Sequence, residues 1–212
     1  MSKLIWKPGN MLYPVPAVMV SCGHYHSPGD ETGCNIITVA WTGTVCSDPA
    51  MTYVSIRPSR HSHAIIKETG EFVINLTTAS LASVADACGV LSGRDVHKFE
   101  RYPITAQRAA TVDAPLIAES PVNLECKVTQ QLPLGSHDMF LAHITYVRVD
   151  ESLLDSRGRL HLDRAHLVAY SHGMYYELGK ALGRFGFSVR KKAPVSPRPQ
   201  VRPRIAKGGK RI

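Results

Sequence analysis

The sequence has no run of 18 or more apolar residues, so no segment is expected to cross a bilayer as a helix. No G-x-G-x-x-G follows a strand-like run, and no G-x-x-x-x-G-K-[ST] occurs, which removes a dinucleotide Rossmann site and the P-loop enzymes. A G-x-S-x-G nucleophile elbow is missing as well. The five cysteines, at 22, 34, 46, 88 and 126, are odd in number and contain no Cys-x-x-Cys pair, which argues against a disulfide framework and a structural zinc site. His24 and His26 share a loop with no carboxylate or cysteine at a metal-ligand spacing. The first residues, Met1-Ser-Lys-Leu-Ile-Trp-Lys, lack an apolar core followed by a small-residue cleavage site, so the cytoplasm is the expected location. There are no internal repeats.

What is present is an ordinary globular balance: 212 residues, 44% apolar and 20% charged, enough for one cored domain with or without a tail. The net charge of +8 looks like an invitation to nucleic acid, but it is unevenly placed. From Arg190 onward stand nine basic residues and no acid; without them, sixteen basic residues face seventeen acidic ones. A near-neutral body gives no footprint for DNA or RNA. Residues 190–212, rich in Pro and basic side chains, are expected to be a flexible tail lacking its own core. The tail is read either as a dock for an acidic redox partner or membrane surface, or as a plain extension.

Strands are expected at 16–22, 35–42, 51–57, 71–76 and 122–129, and over the long run Asp138 to Val149. The last two form an antiparallel hairpin around Leu132-Pro-Leu-Gly-Ser-His137. Pro58 ends the third strand. Ser59 is expected to cap a short helix whose buried face is Ala64, Ile65 and Ile66 and which Gly70 ends. Ser80 is expected to cap a second helix, to about Cys88, with Leu81, Val84 and Ala85 on one face. The reading is a mainly β domain with short helices inserted after strands.

Three clusters carry candidate chemistry. In Ser55-Ile-Arg57-Pro-Ser59-Arg60-His61-Ser62-His63 a strand bends into a helix; amides at a helix N-terminus beside hydroxyls and guanidinium groups suit a phosphate. The same pattern fits a capped helix with solvated arginines. In Leu91-Ser92-Gly93-Arg94-Asp95-Val96-His97-Lys98, Gly93 allows close backbone approach, and Ser92, Arg94 and Lys98 can hold an anion; a surface turn reads the same way. In Cys34-Asn35-Ile36-Ile37-Thr38-Val39-Ala40-Trp41, Asn35 and Thr38 are polar in an apolar run, which suits either a planar ring beside a strand edge or a solvent-facing strand end.

The order of these motifs resembles the flavin reductase-like family of FMN-binding split barrels, in particular its flavoredoxin branch, from about Pro14 to Phe187. The resemblance rests on Asn35-x-x-Thr38-x-x-Trp41-Thr-Gly, Pro49-x-Met51, Val54-Ser-Ile-Arg-Pro-Ser-Arg60 and Glu71-Phe-Val-Ile-Asn75. It continues through Cys88-Gly89-x-x-Ser92-Gly93-Arg94-Asp95-x-x-Lys98-Phe99, Glu125-Cys126, His137-Asp138 and Tyr176-x-x-Gly179. It implies a six-stranded antiparallel split β-barrel with short inserted helices, acting as a homodimer with FMN near the subunit interface. It further implies the isoalloxazine against Asn35, Thr38, Ala40 and Trp41, and the phosphate at Ser55, Arg57, Arg60 and Ser62 with Lys98 reaching it. Asn75, Ser92 and Gly93 are implied second contacts, and His61 stands where members often carry an aromatic residue.

The implied chemistry is hydride and electron transfer by the flavin, with orientation and a hydrogen bond from a backbone amide or Thr38 supplied by the protein. Hydride passes directly from nicotinamide, so no general base is required and no catalytic residue is named. The leading expectation is an oxidoreductase moving electrons from NAD(P)H through FMN to free flavin or a partner. The alternatives are a flavoredoxin-like electron carrier with no nicotinamide site of its own, and a split-barrel scaffold that has lost FMN.

Overall fold

The structure is a computed structural model that describes residues 1–189, so the expected tail 190–212 lies outside the described residues. The chain divides into Met1–Leu178 and a second unit from Gly179. In the second unit, the amide of Phe187 donates to the carbonyl of Arg184 in a turn.

In the first unit the strands are β1 (Val15–Pro16), β2 (Val18–Cys22), β3 (Asn35–Val39), β4 (Thr42–Ser47), β5 (Ala50–Ile56) and β6 (Glu71–Leu76). After them come β7 (Ala106–Gln107), β8 (Leu116–Ile117), β9 (Val122–Pro133), β10 (Asp138–Val149), β11 (Val168–Ser171) and β12 (Met174–Glu177). Helices α1 (His61–Thr69), α2 (Ala82–Val90) and α3 (Lys98–Arg101) are inserted between them. Seven strands form one antiparallel sheet in the order β3-β2-β6-β9-β10-β5-β4; β1, β11 and β12 form a second, and β7 and β8 a third. The mainly β class is as expected, with seven strands in the main sheet rather than six.

That sheet must curl. Its outer strands β3 and β4 are joined by Ala40 and Trp41 alone. Laid flat, six inter-strand spacings of about 4.8 Å would hold the two edges about 29 Å apart. The link reaches at most about 10 Å. The expected single strand 35–42 is therefore two strands on opposite edges, and the bend at Ala40–Trp41 carries the chain across. Past the bend the Ser55 amide donates to the Trp41 carbonyl at 2.9 Å, prolonging the β4–β5 ladder.

Period-two alternation fills the inside of the curl. Val18, Val20 and Cys22, Ile37 and Val39, Val54 and Ile56, Phe72 and Ile74, and Phe140 and Ala142 form one buried cluster with Ile66 of α1. The opposite faces of β2 and β3 are buried too: Met19 and Ile36 pack with Leu81, Val84, Ala85 and Cys88 at α2. Burial on both faces explains why these strands read as continuous apolar runs. Fully buried Glu125 accepts from the amides of Ala110 (2.9 Å) and Thr111 (2.6 Å) and from the Thr111 hydroxyl (2.7 Å), pinning the loop before β8. Burial pushes that carboxyl up, but these bonds outweigh it and hold it below its usual range.

The helices differ from expectation in detail. Arg60, not Ser59, is the cap residue of α1, and no side chain caps the helix. Its buried residues are Ser62, His63 and Ile66, while Ala64 faces solvent. Polar Ser62 and His63 tolerate burial because each has a partner: Asn35 Nδ2 donates to Ser62 Oγ at 2.8 Å, and His63 Nε2 lies 2.8 Å from Asp138 Oδ2. Gly70 ends α1 at φ 69°, its amide bonded to the Ile66 carbonyl. Before α2, Thr78 rather than Ser80 caps a short 3₁₀ turn, accepting from the Leu81 amide. Among the described residues no helix is long and apolar enough to cross a membrane.

Candidate functional site

Three neighbouring cavities share walls near β3, two of them at the Ala40–Trp41 bend. The first, of 440 Å³, is floored by β3 and the bend (Ile37, Thr38, Val39, Ala40, Trp41) and by Ser55, Ile56 and Arg57 at the end of β5. The second, of 280 Å³, lies at the start of α1 and is lined by Asn35, Arg57, Arg60, His61, Ser62 and the turn Ser92-Gly93-Arg94, with Lys98. Ile37, Arg57, Arg60 and Gly89 wall both. The third, of 380 Å³, shares Ala40, Trp41 and Ser55 with the first.

The second cavity is an anion cradle by charge and geometry. Its walls carry Arg57, Arg60, Arg94 and Lys98 and no carboxylate. Among the described residues, Arg57 and Arg60 form no ion pair and no side-chain hydrogen bond, while Arg94 donates to the Ser59 carbonyl at 3.2 Å. Because no side chain caps α1, the first amides of the helix stay open beside these guanidinium groups. The cationic field marks its neighbours. His61 is held below the ordinary imidazole value by burial, then by Arg94 and Lys98, and His137 by burial and then Arg57.

Gly93 completes the cradle by being small. A Cβ there would stand 2.3 Å from Asn35 Oδ1 and 2.5 Å from its Cγ. The bare backbone lets Asn35 reach Ser62. A similar fit joins β3 to α2: the Thr38 hydroxyl donates to the Ala85 carbonyl, and a Cβ on Gly89 would come within 3.2 Å of Thr38 Cβ. Lys98 is 4% exposed, and its Nζ donates to the carbonyls of Ile36 (2.5 Å) and Cys88 (2.9 Å). That leaves the ammonium one of its three donors, and burial pushes its pKa down.

Of the residues expected at the site, all but Asn75 line the first two cavities. Asn75 lines none of the three and is fully buried. Its Nδ2 donates to the Met19 carbonyl and Ser21 Oγ, and its Oδ1 accepts from the Ile117 amide and Asn123 Nδ2. It ties β2, β6 and β9 to β8.

Sequence reasoning did not find Asp86, His137, Tyr170 and Tyr175, all in the wall of the first cavity. His137 stacks on Trp41 with ring centroids 6.5 Å apart and planes at 11°. His137 itself stands in the His137-Asp138 motif of the resemblance, so that signal is present in the sequence. Asp86 and Tyr175 have none, because α2 and the β11–β12 hairpin meet only in the fold. Burial, and then the Asp86 carboxylate, push the Tyr175 phenol up to about 12. Among the described residues no cluster of metal-ligating side chains occurs.

Comparison with known proteins agrees with this architecture. The family model for a flavin reductase like domain matches residues 11–179. An uncharacterized protein of Archaeoglobus fulgidus is 31% identical over 146 residues, covering 69% of this chain and 78% of the relative. The reductase component of a 4-nitrophenol 4-monooxygenase/4-nitrocatechol 2-monooxygenase from Rhodococcus opacus is 26% identical over 166 residues, covering 72% of this chain and 81% of the relative. The solved flavoredoxin of Desulfovibrio vulgaris (Miyazaki F) superposes with a TM-score of 0.79 at 27% identity, covering 89% of this chain and all of the other. With its curled antiparallel sheet, its uncapped helix start over a cationic cradle and a family match across most of its length, the chain belongs to the flavin reductase like domain family.

Proposed function

We propose that this chain is an oxidoreductase that holds FMN and passes hydride or electrons from NADH or NADPH to free flavin or to a partner protein. One observation carries the reading. Arg57 and Arg60, without a carboxylate partner among the described residues, stand at the open start of α1 and wall both the anion cradle and the cavity along Thr38–Trp41. A single cradle of this kind suits one terminal phosphate joined to a planar ring system, which favours FMN over FAD.

When bound, the flavin supplies the hydride and one-electron chemistry. The chain's own residues bind and orient. Arg57, Arg60 and the amides of His61 and Ser62 hold the phosphate; Asn35, Ser62, Ser92 and Gly93 shape the space beside it. Ala40 and Trp41 supply a flat wall, which His137 stiffens by stacking on the indole. Asp86 lines only the first cavity, where an acceptor-only carboxylate suits a hydroxyl or N–H donor and repels a second phosphate. No residue is required as a general base. A homodimer is a further proposal that follows from the family resemblance, and sedimentation equilibrium checks it.

The test combines binding and reduction. Arg60→Ala should weaken FMN by tenfold or more, the worth of one charge-assisted hydrogen bond, and leave riboflavin, which has no phosphate, within twofold. Equal loss of both, or of neither, refutes the phosphate assignment. Anaerobic bleaching of the flavin bands by NADH or NADPH supports the enzyme. Likeness to a flavoredoxin gives the carrier reading its weight, and bleaching only by a reduced partner protein would establish that reading instead.

A further inference from the structure

The third cavity has a different chemistry from the two beside it. Gly9–Tyr13 of the N-terminal segment, the bend residues Ala40 to Thr42, and Tyr53 and Ser55 on one face of β5 line a half-open cavity of 380 Å³. No charged residue lines it, whereas Arg57 and Arg60 line both other cavities. A pyrophosphate or a carboxylate would find no cation here to offset its desolvation. A nicotinamide dinucleotide or a flavin phosphate is therefore a poor occupant.

Three aromatic rings face this space, and each is held from outside it. Tyr13 packs on Tyr170 (centroids 6.2 Å, 59°) and edge-on to His172 (6.1 Å, 70°). Trp41 is backed by His137. The Tyr53 ring lies over Gly43 so closely that a Cβ on that glycine would come within 3.3 Å of it. Rings already fixed lose little freedom when a flat partner stacks between them. Among the described residues the hydroxyls of Tyr53 and Ser55 form no side-chain hydrogen bond, so polar groups remain for one carbonyl or hydroxyl substituent. That combination, apolar walls with a few polar handles, is what a small-molecule site needs.

We infer that this cavity binds an uncharged aromatic molecule of one or two fused rings. Its shared wall at Ala40, Trp41 and Ser55 seats the occupant beside the first cavity. That the neighbouring first cavity holds a flavin rests on the proposed function; binding of this occupant does not.

Equilibrium dialysis of the full-length protein, with and without FMN, tests the inference using 2-naphthol and its charged counterpart 6-hydroxynaphthalene-2-sulfonate. The expected result is saturable one-to-one binding of 2-naphthol, with the sulfonate at least tenfold weaker. Tyr53→Ala should weaken 2-naphthol fivefold or more without changing FMN retention. Leu12 lines the cavity yet is 88% exposed, so Leu12→Lys should fold normally and shift the preference toward the sulfonate by fivefold or more. Equal affinity for the two probes, non-saturable uptake, or a ratio unmoved by both substitutions overturns the inference. So does binding that fades as protein concentration rises, because a second copy of the chain would then cover the cavity. Loss of FMN binding with the naphthol pattern intact refutes the flavin function alone; the converse refutes this site alone.

Discussion

Replacing Gly93 with Ala tests whether the cradle is built on close approach. The new Cβ would lie 2.3, 2.5 and 2.7 Å from the three terminal atoms of Asn35. Asn35 cannot simply swing away: it is 4% exposed and its amide is bonded to Ser62 at 2.8 Å. Overpacking a filled site costs about 1–3 kcal/mol, and losing the Asn35–Ser62 bond adds about 1 kcal/mol. A combined cost of about 2–4 kcal/mol lowers the melting midpoint of a domain this size by roughly 4–16 °C. The glycine's φ lies outside the left-handed region, so backbone strain does not contribute. A double-mutant cycle in urea isolates the contact. In the Asn35→Ala background the obstruction is gone, and Gly93→Ala should be neutral or stabilising by about 0.4–1 kcal/mol through the unfolded chain. An equal cost of Gly93→Ala in both backgrounds would refute the reasoning.

Lys98→Met keeps most of the apolar stem but strands the Ile36 and Cys88 carbonyls; a loss of about 2–4 kcal/mol is expected in urea unfolding, and a change below about 0.5 kcal/mol would count against it. Asp138 lies below the ordinary carboxylate value, through its bond from His63 and then that from Gln131. Its contribution is complete above that ordinary value and drains as pH falls below it, so Asp138→Asn should be less stable at pH 7 by about 1–3 kcal/mol and show a shallower acid slope. Parallel acid slopes in the two proteins would refute this. Burial pushes the thiols of Cys22, Cys34 and Cys126 up to about 12 and that of Cys88 to about 11, against 9.0. The stability these protons confer is present below pH 9 and lost as pH rises toward 11–12. Iodoacetamide at pH 8.5, followed by peptide mass spectrometry, should label half-exposed Cys46 well before Cys34 and leave Cys22, Cys88 and Cys126 unlabelled until unfolding.

Where structure follows a local period, the sequence was legible. The hairpin of β9 and β10, the start of β6 and the end of α1 at Gly70 follow from alternation, propensity and a left-handed cap. The cationic corner at the start of α1 was readable because strand, proline, arginines and helix start are contiguous in the chain. The break of 35–42 into β3 and β4 was not, since Ala40 and Trp41 look like any strand residues and the bend is forced by closure of the whole sheet. Asn75, a second contact implied by the resemblance, is hard to place from sequence for a related reason. A polar residue in an apolar strand can serve a ligand or an internal network, and only the fold shows Ser21, Ile117 and Asn123 around it. The cap at Arg60 turned on one residue of register, which composition cannot set.

The Ala40–Trp41 bend also makes the candidate site a seam. β3 and β4 are not ladder partners, so the sheet meets itself along an unlaced gap, and the first cavity opens beside that gap. A ligand lying there touches β3, the bend and the end of β5, and works as a clasp. At a hundredfold excess over its dissociation constant it would add about 2.7 kcal/mol to the folded state. That gain would be felt unevenly, with amide exchange slowing most along β3 and the end of β5 and least in the β9–β10 hairpin. Occupancy and closure of the sheet are then one equilibrium observed from two sides.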